Sequence, residues 1–147
     1  LNRNEGVAMA KVTIYIGPTV AQLLGADAVV NDIGVTVVDR GGPVALRVVS
    51  EILNTPAANP TVVVAIAKNG GALPGASRTV VMQAASRTTF AVEAFEPAAV
   101  VGDVFTVRAS STIPGAAHQV TAGQTRLVVE AVGQDAAVVA GIGVATP

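Results

Sequence analysis

The stretch Arg87–Arg108, RTTFAVEAFEPAAVVGDVFTVR, decides the fold class of this 147-residue chain. From Phe90 onward the larger apolar side chains fall on every second position, which is the periodicity of a half-buried β-strand. The alternation resumes at Phe105, and Pro97 and Gly102 between the two runs are residues that break strands. We therefore predict two antiparallel strands joined by a loop, with Phe90 and Phe105 pointing into one core.

Short apolar runs separated by turn residues continue this pattern along the chain, with turn signals about every 8–12 positions. The pattern predicts an all-β fold, a single-domain β-sandwich or barrel of about eight or nine short antiparallel strands. We expect a flexible N-terminal arm over residues 1–10 and one β domain over residues 11–147. The predicted core takes alternating residues from three strands: Phe90, Val92, Phe105, Val107, Leu127 and Val129.

Two predicted strands are apolar on both faces, Thr61–Ala67 and the tail Ala136–Val144. A strand of this kind is either central and covered on both sides or lies at a subunit contact. We expect other chains to bury these strands and the arm. Lys68–Ser77 and Ala109–Gln124 are rich in small and polar residues, and we interpret both as loops.

The composition limits the classes of function. Charged residues make up 13% of the chain and hydrophobic residues 51%, whereas the usual charged share is about 25%. We interpret this low charge as a surface covered by partners; the alternative is simply an Ala-rich monomer. The net charge of −1 includes no basic run, which argues against nucleic-acid binding. The absence of cysteine excludes disulfides and thiolate metal sites, and no apolar stretch reaches the roughly 20 residues of a membrane helix.

His118 is the single histidine, so any nucleophilic triad would need it. The candidate nucleophiles are Ser86, Ser110 and Ser111. No Gly-x-Ser-x-Gly elbow accompanies them. We therefore interpret His118 as a solvated loop residue.

Two glycine-rich segments resemble nucleotide-binding motifs only in part. Gly70–Ser77 (GGALPGAS) matches a phosphate-binding loop at its glycines and final serine, but Ala76 stands where that loop needs a lysine. We interpret it as a surface loop. Gly141–Gly143 has no predicted helix after it, which argues against a dinucleotide site.

Five acidic residues are candidates for metal or acid–base chemistry: Asp27, Asp32, Asp39, Glu93 and Glu96. The spacing of the aspartates fits no calcium loop, and single aspartates at strand ends are common turn formers. A paired-carboxylate site needs two groups held a defined distance apart across a cleft, and Glu93 opposite Arg108 on the hairpin is the simpler arrangement. We predict no catalytic, cofactor-binding or metal-binding residue and no enzymatic activity.

Four segments of the sequence together resemble those of a known class of protein. They are the start Met9–Gly17 (MAKVTIYIG), the strand TVVVAIA, the segment Glu96–Arg108 (EPAAVVGDVFTVR) and the polar arm before Met9. In these features the chain resembles small β-rich virion proteins of tailed bacteriophages, especially capsid decoration (cement) proteins. The resemblance implies a small, often trimeric domain that clamps neighbouring major capsid subunits at a symmetry axis. The implied partners are the major capsid protein or other virion subunits, within a virion assembled in the host cytoplasm, and the implied state is a homo-oligomer, with a trimer favoured.

A different class of function is an immunoglobulin-like surface-recognition or carbohydrate-binding module. Such modules usually expose Trp or Tyr for stacking on sugars. This chain has no Trp and one Tyr, which favours the virion component.

Overall fold

Residues 11–25, 28–55, 59–112, 115–132, 137 and 139–146 are described in the computed structural model. They form eleven β-strands: β1 (Lys11–Gly17), β2 (Gln22–Leu24), β3 (Ala28–Val37), β4 (Gly42–Asn54), β5 (Thr61–Lys68), β6 (Gly71–Val81), β7 (Ser86–Ala99), β8 (Val104–Ser111), β9 (Gly115–Ala131), β10 (Val139–Ile142) and β11 (Val144–Thr146). Within these ranges no helix is long and apolar enough to cross a membrane. The predicted arm of residues 1–10 lies outside the described residues.

The strands form two antiparallel sheets. Sheet A has the order β11-β1-β9-β4-β7, with β2 also paired to β9, and sheet B has the order β10-β3-β8-β5-β6. From β7 to β9 the chain passes from sheet A to sheet B and back, as in jelly-roll sandwiches. The predicted all-β sandwich is confirmed, with eleven strands in the described residues instead of eight or nine.

The core lies between the two sheets. All six predicted core residues are buried: Phe90, Val92, Phe105, Val107, Leu127 and Val129. Ser50 and Thr125 are also fully buried, and their hydroxyl oxygens are 2.8 Å apart in a hydrogen bond between β4 and β9. This bond satisfies two polar groups whose burial would otherwise destabilise the fold.

The predicted hairpin between the two phenylalanine strands is wrong. β7, which carries Phe90, pairs with β4 in sheet A, whereas β8, which carries Phe105, pairs with β3 and β5 in sheet B. Glu93 consequently lies opposite Arg47 and not opposite Arg108. The alternation shows which face of a strand is buried, but two strands on opposite sides of one core have the same alternation as two strands of one hairpin.

Two segments predicted as loops are largely strands. In Lys68–Ser77, a turn at Asn69-Gly70 leads into β6, an edge strand that accommodates Pro74 and the positive φ of Gly75. Most of Ala109–Gln124 belongs to the end of β8 and the first half of β9, which pairs with β2 and β4. Pro and Gly suit β6 because edge strands tolerate them.

The two strands predicted to be apolar on both faces differ in environment. β5 lies between β8 and β6, with Val62, Val64 and Ile66 fully buried and Val63 half-buried on the outer side. The tail forms β10 and β11, which belong to different sheets, and Ile142 at the end of β10 is exposed.

Tyr15 sets the orientation of β1. Its ring is buried, and a Cβ at Gly141 of β10 would overlap it, so the two sheets approach closely at this position. Because side chains alternate along a strand, the inward Tyr15 turns Val12, Ile14 and Ile16 to the outer face of sheet A. This outward row contributes to the surface described below.

We expect Phe105→Ala to lower the free energy of unfolding by about 3–5 kcal/mol, because a fully buried phenylalanine leaves a cavity when truncated. Urea denaturation followed by circular dichroism measures the change. Val81→Ala is the control, since Val81 is exposed and its truncation should change stability by less than about 0.5 kcal/mol. Equal effects of the two variants would contradict the described core.

Candidate interaction surface

A cluster of polar side chains joins the two sheets at one end of the sandwich. The Lys68 Nζ of β5 donates a hydrogen bond to the Glu96 Oε1 of β7 over 2.7 Å and lies 3.5 Å from the Asp103 Oδ2. The Asn69 Nδ2 donates to the Asp103 Oδ1 over 3.0 Å, and the backbone N–H of Val104 donates to the Asn69 Oδ1 over 2.8 Å. We call Lys68, Asn69, Glu96 and Asp103 the end cluster.

The groups of the end cluster stabilise one another's charged forms. The hydrogen bond from Lys68 lowers the pKa of the Glu96 carboxyl, and the N–H of Ala98 acts in the same direction. The N–H of Val100 and the amide of Asn69 lower the pKa of the Asp103 carboxyl. The hydrogen bond to Glu96 raises the pKa of Lys68. Because these groups are engaged with one another and with the backbone, the end cluster connects the sheets; nothing in it resembles an acid–base pair poised for catalysis.

The outer face of sheet A is the second notable feature. It presents side chains from four adjacent strands: Val12, Ile14 and Ile16 of β1; Arg126, Val128 and Glu130 of β9; Ala45, Arg47 and Val49 of β4; and Ala91, Glu93 and Phe95 of β7. Phe95 is 59% exposed although it is one of the largest apolar side chains in the protein. Exposed aromatic side chains among aliphatic ones are typical of protein-binding surfaces.

A groove of about 460 Å³ runs across this face. Ala45 lies on its floor in register between Phe95 on β7 and Glu130 on β9, and Val12 lies opposite Glu130 on β1. The small side chain of Ala45 thus lies beside the large one of Phe95 in the lining of the groove. Its lining is mixed, with apolar groups beside Arg47, Glu93 and Glu130.

The residues considered for catalysis are divided between the two sheets. His118 lies in β9 and not in a loop, and its Cα is opposite Asn54, which is in turn opposite Ser86. The Ser86 Oγ donates a hydrogen bond to the carbonyl of Gln83 over 2.7 Å, so its proton is already engaged. Ser110 and Ser111 lie in the other sheet.

The acidic candidates are dispersed. Asp32 accepts a hydrogen bond from the N–H of Thr19 over 3.2 Å, Asp39 is exposed after β3, and Asp27 lies outside the described residues. Glu96 belongs to the end cluster, whereas Glu93 belongs to the outer face of sheet A. Among the described residues, no group of three His, Cys, Asp or Glu side chains is placed to hold a metal ion.

Sequence reasoning missed the groove, although one signal for it was present. Phe95 falls on the alternate positions with Ala91 and Glu93, opposite in phase to the buried Phe90 and Val92. That phase alone predicts an exposed phenylalanine. The pairing of β7 with β4, which sets Phe95 beside Ala45, could not be deduced from the alternation.

No protein-family model matches this sequence, and no curated protein matches it either. Among solved structures, murine APRIL, crystallised at pH 5.0, is similar with a TM-score of 0.53 and 14% identity, over 84% of this chain and 98% of that one. Dimeric latent PorU from Porphyromonas gingivalis has a TM-score of 0.51 and 12% identity, over 88% of this chain but only 13% of that much longer one. At such identities the similarity shows a shared β-sandwich fold.

The end cluster makes stability depend on pH. Because the pKa of Glu96 is lowered in the folded state, its carboxylate stabilises the fold above the ordinary carboxyl pKa of 4.5. This stabilisation is lost as the pH falls through the lower pKa of the folded state. The pKa of Lys68 is raised, so Lys68 stays charged throughout this acid range and its contribution to stability does not change with pH there. We expect Glu96→Gln to lower the melting temperature at pH 7. Below pH 4.5 the melting temperature of this variant should fall less steeply with pH than that of the wild type.

Thermal unfolding followed by circular dichroism from neutral to acid pH measures both effects. Glu51→Gln is the matched control, because Glu51 pairs over 2.9 Å with Arg87, whose side chain is 58% exposed. Exposed ion pairs of this kind contribute little to the free energy of unfolding. If Glu51→Gln and Glu96→Gln gave the same melting curves at every pH, the stabilising role of the end cluster would be wrong.

Proposed function

We propose that this protein is a structural component of a tailed-bacteriophage virion that binds and stabilises a capsid lattice as a homo-oligomer. Two properties support the proposal: the low share of charged residues, 13% of the chain, and the resemblance to capsid decoration proteins. The proposed partners are the major capsid protein or other virion subunits, with a trimer as the favoured stoichiometry. The proposed location is the virion, assembled in the host cytoplasm.

The observation that carries this proposal is an apolar surface at the end of the sandwich. Val38 follows β3, and Val100 and Val101 connect β7 to β8; all three side chains are exposed, Val100 to 60% and Val101 to 55%. We call these three residues the valine tip. Exposed apolar groups gathered at one end of a domain are favourable for binding another protein, because their burial there removes apolar area from water.

The backbone holds the valine tip in place. The N–H of Val37 donates to the carbonyl of Asp103 over 2.9 Å, and the N–H of Gly102 donates to the carbonyl of Val37 over 2.8 Å. A Cβ at Gly41 would overlap the carbonyl oxygen of Ala99, so the two loops are also packed closely. A surface ordered in the free protein loses less conformational entropy on binding, which favours affinity.

The proposal includes no catalysis. In the described residues the Ser86 hydroxyl donates a hydrogen bond to a backbone carbonyl, and Glu96 and Asp103 accept hydrogen bonds that join the sheets. These engagements support a binding role over an enzymatic one.

The alternative is a surface-recognition module. The sandwich would suit this role as well, but its strand order is that of a jelly roll, whereas immunoglobulin domains pair strands ABED and CFG. The exposed aromatic residue of the outer face of sheet A is Phe95, whose ring has no polar group to combine stacking with a hydrogen bond to a sugar. Both observations favour the assembly component.

The valine tip predicts which substitutions abolish capsid binding. We expect the wild-type protein to cosediment saturably with tailed-phage capsids assembled without it, and the double variant Val100→Ser/Val101→Ser to bind at least about tenfold more weakly. Val20→Ser is the matched control. Val20 is exposed and follows β1 at the end of the sandwich opposite to the valine tip, where β8 ends and β9 begins. Absence of cosedimentation by the wild type would contradict the proposed function. Equal weakening by Val20→Ser would contradict the assignment to the valine tip.

A further inference from the structure

The outer face of sheet A carries two positive and two negative side chains that the fold does not use: Arg47, Arg126, Glu93 and Glu130. Arg47 lies directly opposite Glu93 in the register of β4 and β7, yet no ion pair within 4.0 Å joins any of the four to another described residue. The charges of the face therefore sum to zero and remain available to a partner.

The two outer faces of the sandwich differ. On sheet B the outward positions of β8 and β6 include four hydroxyl side chains, Thr106, Ser110, Ser77 and Thr79, beside the exposed Val81 and Val104. On sheet A the outward positions of β1 are all aliphatic, and Phe95 stands beside the groove over Ala45. Sheet A thus presents a continuous aliphatic row and an exposed phenylalanine, whose burial against another chain would be favourable.

We propose that the outer face of sheet A is a self-association surface, on which a second copy of this chain lies with the same face. In this arrangement Phe95 of each copy covers the groove of the other, and Arg47 and Arg126 of one copy pair with Glu93 and Glu130 of the other. Equal numbers of both charges let two identical faces meet without net repulsion, which is a requirement for a contact of this kind.

The nature of the face excludes other classes of partner. The two arginines are balanced by two glutamates, so the face has no net positive charge to bind nucleic-acid phosphates, and four unpaired charges would be costly to place in a lipid bilayer. The size of the face approaches that of an interface: seven residues of β1 at about 3.4 Å and four strands at about 4.8 Å make roughly 24 Å by 19 Å, and β4, with 13 residues, extends beyond β1. Side-chain relief increases the accessible area toward the roughly 800 Å² per partner of a standard interface.

This inference rests on the homo-oligomer of the proposed function but replaces the favoured trimer by a dimer, because a contact between two identical faces closes on two copies. It is tested without any capsid. Sedimentation velocity of the full chain between about 1 and 200 µM measures its mass in solution. We expect a dimer for the wild type. We expect monomers for an acidic-face variant, Arg47→Glu/Arg126→Glu, and for a basic-face variant, Glu93→Arg/Glu130→Arg, because like charges would then meet.

Mixing the two variants is the decisive measurement. The acidic face of one variant and the basic face of the other carry opposite charges, so the mixture should associate again. Added salt should weaken this association. Phe95→Ser should raise the dissociation constant at least about tenfold without changing any charge. Arg78→Glu, a charge reversal at an exposed position on β6, is the control and should keep the wild-type mass.

The outcomes separate the two proposals. A wild type that stays monomeric, or face variants that are folded by circular dichroism and still associate, would overturn the self-association surface. If a face variant is unfolded, Phe95→Ser decides the question: an unchanged dissociation constant overturns the inference. If the valine-tip variant loses capsid binding but keeps the wild-type oligomer mass, the result supports the proposed function and shows that the valine tip is not the self-association surface.

Discussion

The apolar layer between sheets A and B is the constraint on which the rest of the structure depends. Phe90 of β7 and Phe105 of β8 are both fully buried in it, one from each sheet. Truncation of either would cost a large part of the 5–15 kcal/mol by which domains are typically stable. Because each strand must turn alternate side chains into this layer, the same layer decides which side chains face outward.

The ends of the sandwich and its outer faces use charge differently. At one end, Lys68 connects β5 to Glu96 of β7 and approaches Asp103, so these charges stabilise the fold. On the outer face of sheet A, Arg47 and Glu93 are neighbours in register without forming an ion pair. In a chain with few charged residues, this difference separates groups that hold the domain together from groups available for contact with other molecules.

A shared fold at 14% identity with murine APRIL is informative about architecture and silent about partners. A jelly-roll sandwich presents two sheet faces and two ends, and each can be given a binding role by changing outward residues without altering the core. The valine tip and the outer face of sheet A are two such surfaces. Since they lie on different parts of one domain, the proposed capsid attachment and the proposed self-association would not compete for the same residues.

The sequence by itself determined the β class, the six buried residues of the predicted core and the outward phase of Phe95, because alternation depends only on which side of a strand meets water. Only the tertiary structure decided that β7 and β8 belong to different sheets, that Ala109–Gln124 is mostly strand, and that Lys68 reaches Glu96. The physical reason is that strand pairing depends on contacts between residues far apart in the chain. Two strands with the same alternation satisfy the core equally well as neighbours in one sheet or as opposite walls of the sandwich, so only packing of the whole chain distinguishes them.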